Sequence, residues 1–188
     1  MSLDLFAEFY RKNSAEYKLA KKLHEFTGKD PECGNGLRWL ADDDNTIEYW
    51  FDGDADTALN FYTIAATPSA GLFAVWMRDK VERKKMPFVF LGAEGDAHVI
   101  AADFASFLSL IALPYEDIEF AFSRQIFEFH SKPSKKFVQF RKWLSEECNV
   151  QPAEAPEAIV EAAQAKHPSL QEFVENWADS WFPRKNAK

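Results

Sequence analysis

The chain has 188 residues, of which 47% are hydrophobic and 15% aromatic, and it carries a formal net charge of −8 at pH 7. That length and composition suit one globular domain with a sizeable core and exclude a disordered chain, while no apolar run is long enough to cross a bilayer. The negative charge also argues against direct nucleic-acid binding, because phosphate recognition needs a basic surface.

The N-terminal region predicts helix. Apolar residues recur at helical spacing over residues 3–26, which indicates one helix, or two broken near residues 13–14, with Gly28 as the stop. The same stretch mixes charges into every turn and lacks the apolar centre of a secretory signal. The two cysteines, Cys33 and Cys148, are too few for a disulfide framework. We therefore expect a cytoplasmic protein that does not contact membranes.

Residues 37–101 show a different pattern, with short runs rich in aromatic and β-branched residues that are separated by Asp, Gly and Pro. The runs are GLRWLA, IEYWF, LNFYTIA, LFAVWM, FVFLG and HVIA. They predict five or six strands. The strands should be mostly antiparallel, because their connections are too short for helical crossovers.

After residue 101 the pattern becomes helical again. Asp103 suits an N-cap, and amphipathic segments separated by prolines predict four further helices beyond Pro114. The predicted fold class is therefore α+β, with a curved, mostly antiparallel sheet of five to six strands flanked by helices. We expect a single domain over residues 1–188, with a sheet core at about 37–113 and a helical C-terminal extension at about 114–188.

The sequence LGAEG, residues 91–95, resembles a phosphate-binding loop only superficially. A P-loop needs Lys-Ser/Thr after its glycines, and a dinucleotide fingerprint needs three glycines that open a helix. Here another strand-like run follows, so we interpret Gly92 and Gly95 as the corner of a hairpin. On this interpretation Glu94, Asp96 and the nearby His98 face water.

Residues 30–60 hold nine acidic side chains and one basic side chain, whereas residues 130–150 are enriched in Lys and Arg. The sequence DGDAD imitates the start of a calcium loop, but Thr57 and Thr63 stand where that loop needs Gly and Glu. Two interpretations stay open: a solvated loop, or a contact surface for a cationic partner. The candidate partner-binding residues are Asp42, Asp43, Asp44, Glu48, Asp52, Asp54 and Asp56.

Signatures of catalysis are absent from the sequence. The four histidines show no HExxH spacing, and neither a GxSxG elbow nor a Cys-His signature is present. We therefore predict no catalytic residues, no metal site and no cofactor. A site assembled from residues far apart in the sequence would escape this argument.

One part of the chain resembles a known family. SAGLFAVWMRDK, followed after a spacer by MPFVFLGAEGDAHVIAADFASFLSLIA, is similar to the signature of the SUKH superfamily, which includes bacterial immunity proteins and a fungal regulator of cell-wall assembly. The carriers of the resemblance are Ala74 with Trp76, the strand and turn from Pro87 to Gly95, and the residues Ile100, Ala101, Phe107 and Leu108. The similarity covers about residues 47–113 and implies an α+β binding protein, often the cytoplasmic antidote to a toxin.

These observations together predict a non-enzymatic module that binds a protein partner, in the first place a bacterial immunity protein that neutralises a toxin. A nuclease toxin presents a basic surface to phosphate, and the acidic residues would match that surface. The alternatives are an enzyme for a small molecule, or one that depends on a metal, with its site in the concave face of the sheet, and a regulatory scaffold protein.

Overall fold

The computed structural model describes residues 10, 12, 14–28, 30–34, 36–40, 46–77, 86–128 and 132–182. The helices among them are α1 Ala15–Thr27, α2 Thr46–Trp50, α3 Ala55–Ala58, α4 Phe104–Ile111, α5 Ile118–Arg124, α6 Lys135–Cys148, α7 Pro156–Gln164 and α8 Leu170–Trp181. The strands are β1 Arg38–Trp39, β2 Phe61–Ala66, β3 Leu72–Trp76, β4 Phe88–Leu91 and β5 Ala97–Ala101.

The five strands form one antiparallel sheet in sequence order, so that β1 and β5 lie at its edges. Short turns join β2 to β3 and β4 to β5, as antiparallel neighbours allow, whereas the connection from β1 to β2 contains α2 and α3. A register shift in β2 lies between Thr63 and Ala65. The predicted α+β class with an antiparallel sheet is therefore confirmed.

Helices cover both faces of the sheet. One face, which includes Phe73 and Phe90, packs against α1, α4, α5 and α6. The other face, which includes Leu72 and Val89, packs against α2, α3 and α8. Because both faces are buried, β3 and β4 are apolar at every position and do not alternate with polar residues. The helical C-terminal region thus forms part of the layers around the sheet.

Local signals in the sequence fix where most helices begin. Side chains at six N-caps each accept a hydrogen bond from a backbone N–H in the first turn, and these residues are Ser14, Asp54, Asp103, Asp117, Ser134 and Ser169. Such caps satisfy donors that the helix itself leaves unpaired. The N-cap predicted at Asp103 is confirmed, and α1 ends before Gly28 as expected.

One of the predicted strands is a helix. The segment IEYWF lies in α2 and the turn that follows it, where Ile47, Trp50 and Phe51 are spaced to place three apolar side chains on one helical face. Phe51 is completely buried. Aromatic and β-branched composition suggested a strand, but the opportunity to bury this face against β2 outweighs that weak preference.

Candidate functional site

The acidic residues proposed for partner binding fall into three groups in the structure. Asp42, Asp43 and Asp44 lie outside the described residues. Asp54 is used in internal hydrogen bonds. Glu48, Asp52 and Asp56 lie on α2, α3 and the turn between them, where they are exposed or half-exposed. Only this last group is open to a partner within the part of the chain that the structure describes.

Asp54 is a structural residue. Its carboxylate caps α3 by accepting hydrogen bonds from Thr57 N at 3.1 Å and from the Thr57 hydroxyl at 2.7 Å. Trp177 of α8 donates its indole N–H to the same carboxylate at 2.9 Å. The Thr57 hydroxyl, with these other donors, lowers the pKa of Asp54 because each bond favours the charged form. Asp54 therefore joins α3 to α8.

The turn between α2 and α3 resembles a calcium loop in sequence only. The Asp54 oxygens are occupied by protein donors, and Asp52 adopts a left-handed backbone with φ 50°. Across the described ranges, no group of three or more His, Cys, Asp or Glu side chains is placed to hold a metal ion. The carboxylates here therefore act as charges and caps.

Exposed apolar side chains accompany the three open carboxylates. Tyr49 and Leu59 are 82% and 73% exposed. We call the set Glu48, Tyr49, Asp52, Asp56 and Leu59 the α2–α3 surface. It is held in place from below by Phe51, whose ring packs at 5.1 Å from that of Phe61 and at 4.9 Å from that of Trp177.

The end of α8 lies beside this surface. Trp177 contacts both Asp54 and Phe51, and the ring of Phe182 lies 6.0 Å from that of Trp177. Trp181 and Phe182 are 44% and 53% exposed. Four large apolar side chains thus remain exposed in the region around α2, α3 and the end of α8.

Two further acidic residues of the segment are paired within the molecule. Lys136 Nζ lies 2.5 Å from Asp30 Oδ2 and 3.8 Å from Glu32 Oε2. The Lys136 ammonium lowers the pKa of Asp30 chiefly through this hydrogen bond. The acidic and basic segments of the sequence therefore contact each other here. Asp30 and Glu32 form ion pairs with Lys136 at the protein surface, and such exposed pairs contribute little to stability.

The turn at residues 92–95 joins β4 to β5 and is packed from two sides. Trp50 donates to Gly92 O at 2.9 Å, and Ala93 N donates to the Glu119 carboxylate at 3.0 Å. The other oxygen of Glu119 accepts from the Thr67 hydroxyl in the β2–β3 turn. Glu119 of α5 thus ties together two neighbouring turns of the sheet. These contacts are the contacts of a structural corner.

Asp96 and His98 differ from their predicted solvated state. Asp96 Oδ2 is buried and has no hydrogen-bond partner within the described residues. His98 is half-buried, and its Nε2 lies 3.1 Å from Ser123 O. A carbonyl oxygen only accepts, so Nε2 carries the proton and Nδ1 accepts from the Gln125 amide at 3.0 Å.

The hydrogen-bond chain continues beyond Gln125. Gln164 Nε2 donates to Gln125 Oε1 at 3.0 Å and to Val99 O at 3.3 Å. Gln125 holds a left-handed backbone with φ 54°, a conformation that is uncommon for residues other than glycine and asparagine. Sequence reasoning missed this chain, because its members come from β5, α5 and α7 and no spacing connects them.

The cysteines offer no nucleophile near neutral pH. Cys33 is buried, accepts a hydrogen bond from the Trp39 indole at 3.0 Å, and has its pKa raised to about 12 by burial. Burial also raises the pKa of Cys148 to about 11. Since the thiolate is the reactive form, both side chains should react slowly near neutral pH.

In the comparisons with known proteins, no family model, no curated protein and no solved structure matched this chain. Among the residues that the structure describes, no helix combines the length and apolar character needed to span a membrane.

Proposed function

We propose that the protein is a non-enzymatic module that binds a basic protein through the α2–α3 surface. The observation that carries this proposal is the pairing of Tyr49 and Leu59, both largely exposed, with three open carboxylates on one short segment. Exposed apolar side chains that cluster on one surface are a mark of interaction sites, and aromatic anchors within a polar rim are typical of protein interfaces.

The charges favour a cationic partner. The carboxylates of Glu48, Asp52 and Asp56 have no ion pair within the described part of the chain. Three carboxylates repel one another, and a basic surface would relieve that repulsion while raising the rate of encounter.

The kind of partner follows from the resemblance to the SUKH superfamily. That resemblance supports an immunity protein whose partner is a toxin, and a nuclease toxin would carry the basic surface that the α2–α3 surface complements. The turn at 92–95, which carries much of the resemblance, is a structural corner here. It therefore supports the choice of fold family without supplying a site.

The alternative of an enzyme site in the concave face of the sheet has less support. Helices and buried aromatic side chains fill both faces of the sheet, so that no open face is left over the described strands. A surface that binds a partner by shape and charge fits this arrangement better than an internal active site.

The experiment begins with capture of the partner from extracts of the producing strain and its purification. Association and dissociation are then measured at several salt concentrations. We expect the triple variant Glu48→Gln, Asp52→Asn and Asp56→Asn to lower the association rate about tenfold at low salt and to flatten its salt dependence. Tyr49→Ala with Leu59→Ala should mainly accelerate dissociation.

The matched control removes three carboxylates elsewhere, with Glu116→Gln, Glu154→Gln and Glu161→Gln, so that the net charge changes equally. If control and triple variant slow association to the same extent, total charge matters and the α2–α3 surface does not. If the captured partner binds all variants equally well, the proposed surface is wrong.

A further inference from the structure

Helix α8 ends beside the α2–α3 surface. Phe182 N donates to Ala178 O at 2.9 Å, which fixes the residue that follows the helix. The Phe182 ring lies 6.0 Å from the Trp177 ring, and the Trp177 indole in turn donates to Asp54. The chain therefore leaves α8 next to the turn that carries the open carboxylates.

The charge of the sequence changes sign at this point. Residues 168–182 contain three acidic side chains and no Lys or Arg. The six residues that follow, PRKNAK, lie outside the described residues and include three cations, Arg184, Lys185 and Lys188. We call residues 183–188 the basic segment. It begins where the chain has just passed the acidic α2–α3 surface.

The basic segment is long enough to reach every open carboxylate of that surface. Six residues span up to about 20 Å, because an extended chain rises by roughly 3.3–3.6 Å per residue. Asp52 and Asp56 are each two positions from Asp54, a separation of no more than about 7 Å. Gly53 N donates to Glu48 O at 2.9 Å, so Glu48 lies against the same turn. All three carboxylates are thus within reach of cations that follow α8.

The charges of the two parts are complementary. Three cations face three carboxylates that have no ion pair among the described residues. Tyr49, which is 82% exposed, adds a ring on which a guanidinium can stack. Exposed ion pairs are individually weak. A segment held in the same chain by a short connection nevertheless has an effective concentration on the order of millimolar, which favours contacts of this kind.

We propose that the basic segment occupies the α2–α3 surface of its own molecule and that a basic partner must displace it. The segment would then be an internal competitor with the chemistry of the partner, a short run of Lys and Arg beside an aromatic anchor. The competition rests on the function proposed above, whereas the occupation of the surface by the segment does not.

The test places a nitroxide label on the basic segment of the full chain, at Ala187→Cys, and measures the broadening of backbone amides in ¹⁵N–¹H NMR spectra relative to the reduced label. We expect the broadening at about 20 mM salt to fall about threefold or more at about 1 M salt, where the Debye length is about 3 Å. The amides observed are those at positions 48, 52 and 56. The chain without the added cysteine, treated with the same reagent, measures any broadening from the natural thiols.

Two sets of substitutions change the cations and the carboxylates independently. Neutralising the labelled segment should reduce the broadening as far as salt does, with Arg184→Gln, Lys185→Gln and Lys188→Gln. The triple variant of the α2–α3 surface should do the same. The matched control should keep the broadening of the wild type, with Glu116→Gln, Glu154→Gln and Glu161→Gln.

Two results would overturn the internal contact. Cations that follow a helix also complement the negative partial charge of its C-terminus, an effect that is confined to the last turn and needs no carboxylate of the α2–α3 surface. Equal broadening in the wild type and in the surface variant would assign the cations to that role. Broadening that increases with protein concentration would assign the segment to the surface of a second copy.

Binding of the captured partner tests the competition. If the segment covers the surface about three-quarters of the time, its neutralisation should tighten the apparent Kd about fourfold. An unchanged Kd would refute the competition. If the broadening behaves as expected but the partner binds wild type and surface variant equally, the segment occupies the surface and the proposed partner function is wrong. Absence of the broadening would refute the internal contact and leave the partner function untouched.

Discussion

Position 92 needs a glycine because the Asp96 side chain occupies the space that a β-carbon would fill. A β-carbon at this position would lie 2.5 Å from the Asp96 Cγ, closer than real contacts allow. The Asp96 carboxylate lies in this corner, where its Oδ2 is buried without a hydrogen-bond partner among the described residues and lies 3.7 Å from His98 Nε2. The glycine is therefore needed for space, whereas Gly95 is needed for its backbone angle, φ +91°.

This closeness leads to a prediction about stability. Gly92→Ala should lower the free energy of unfolding by about 1–3 kcal/mol, because the new methyl group overlaps the Asp96 carboxylate. In an Asp96→Ala background the overlap disappears, so the same substitution should cost much less. Urea unfolding of the four proteins of this double-mutant cycle measures the coupling. Equal costs in both backgrounds would contradict the proposed contact.

Asp54 leads to a prediction about pH. Its pKa is lowered in the folded protein, so its contribution to stability is present above about pH 4 and is lost as the pH falls through the folded value. The difference in unfolding free energy between wild type and Asp54→Asn should therefore shrink as the pH falls below about pH 4. A difference that stays constant over this range would show that the charge does not stabilise the fold.

Residues differ in how far the sequence reveals their role. The cap at Asp103 was predictable because it acts on a backbone N–H only three residues away. Asp54 was interpreted as a partner-binding residue, because no residue near it in the sequence indicates a hydrogen bond to a tryptophan 123 positions later. His98, Gln125 and Gln164 are likewise separated by 27 and 39 positions, and the chain they form depends on tertiary structure alone.

At the scale of elements, the strands of the sheet could be predicted from the sequence. The short helix α2, which packs on the face that includes Leu72 and Val89, could not. Strands β2 to β5 are marked by dense β-branched and aromatic runs between turn residues. The short helix α2 carries the same composition, and its five residues are too few for a helical period to stand out. The four C-terminal helices were predictable because prolines separate them.

The interaction between α3 and α8 leads to a prediction at this scale. Trp177→Phe retains an aromatic ring against Phe51 but removes the hydrogen bond to Asp54, so it should lower the thermal midpoint modestly. Trp177→Ala also removes the ring packing and should lower the thermal midpoint further, at a cost below the about 3–5 kcal/mol of a fully buried tryptophan. Calorimetry measures the thermal midpoints of the two variants. Equal midpoints would contradict the described packing of Trp177.

At the scale of the whole molecule, the rates at which the two cysteines react with a thiol reagent report on how tightly the helices pack against the sheet. Burial raises the pKa of Cys148 to about 11, so that very little thiolate is present near pH 7.5. A disulfide reagent should therefore label Cys148 slowly in the native protein. Cys33, buried beneath Trp39, should react only when the chain unfolds. Rapid labelling of Cys33 without unfolding would contradict the described core.

The bond between Asp54 and Trp177 has a consequence for the time course of synthesis. The α2–α3 segment leaves the ribosome 123 residues ahead of the tryptophan that anchors it. At about 5–20 residues per second, this separation corresponds to roughly 6–25 s of translation. During that interval the segment lacks its hydrogen-bonded contact with α8. A newly made molecule would therefore hold the α2–α3 surface through this hydrogen bond only after α8 has been synthesised.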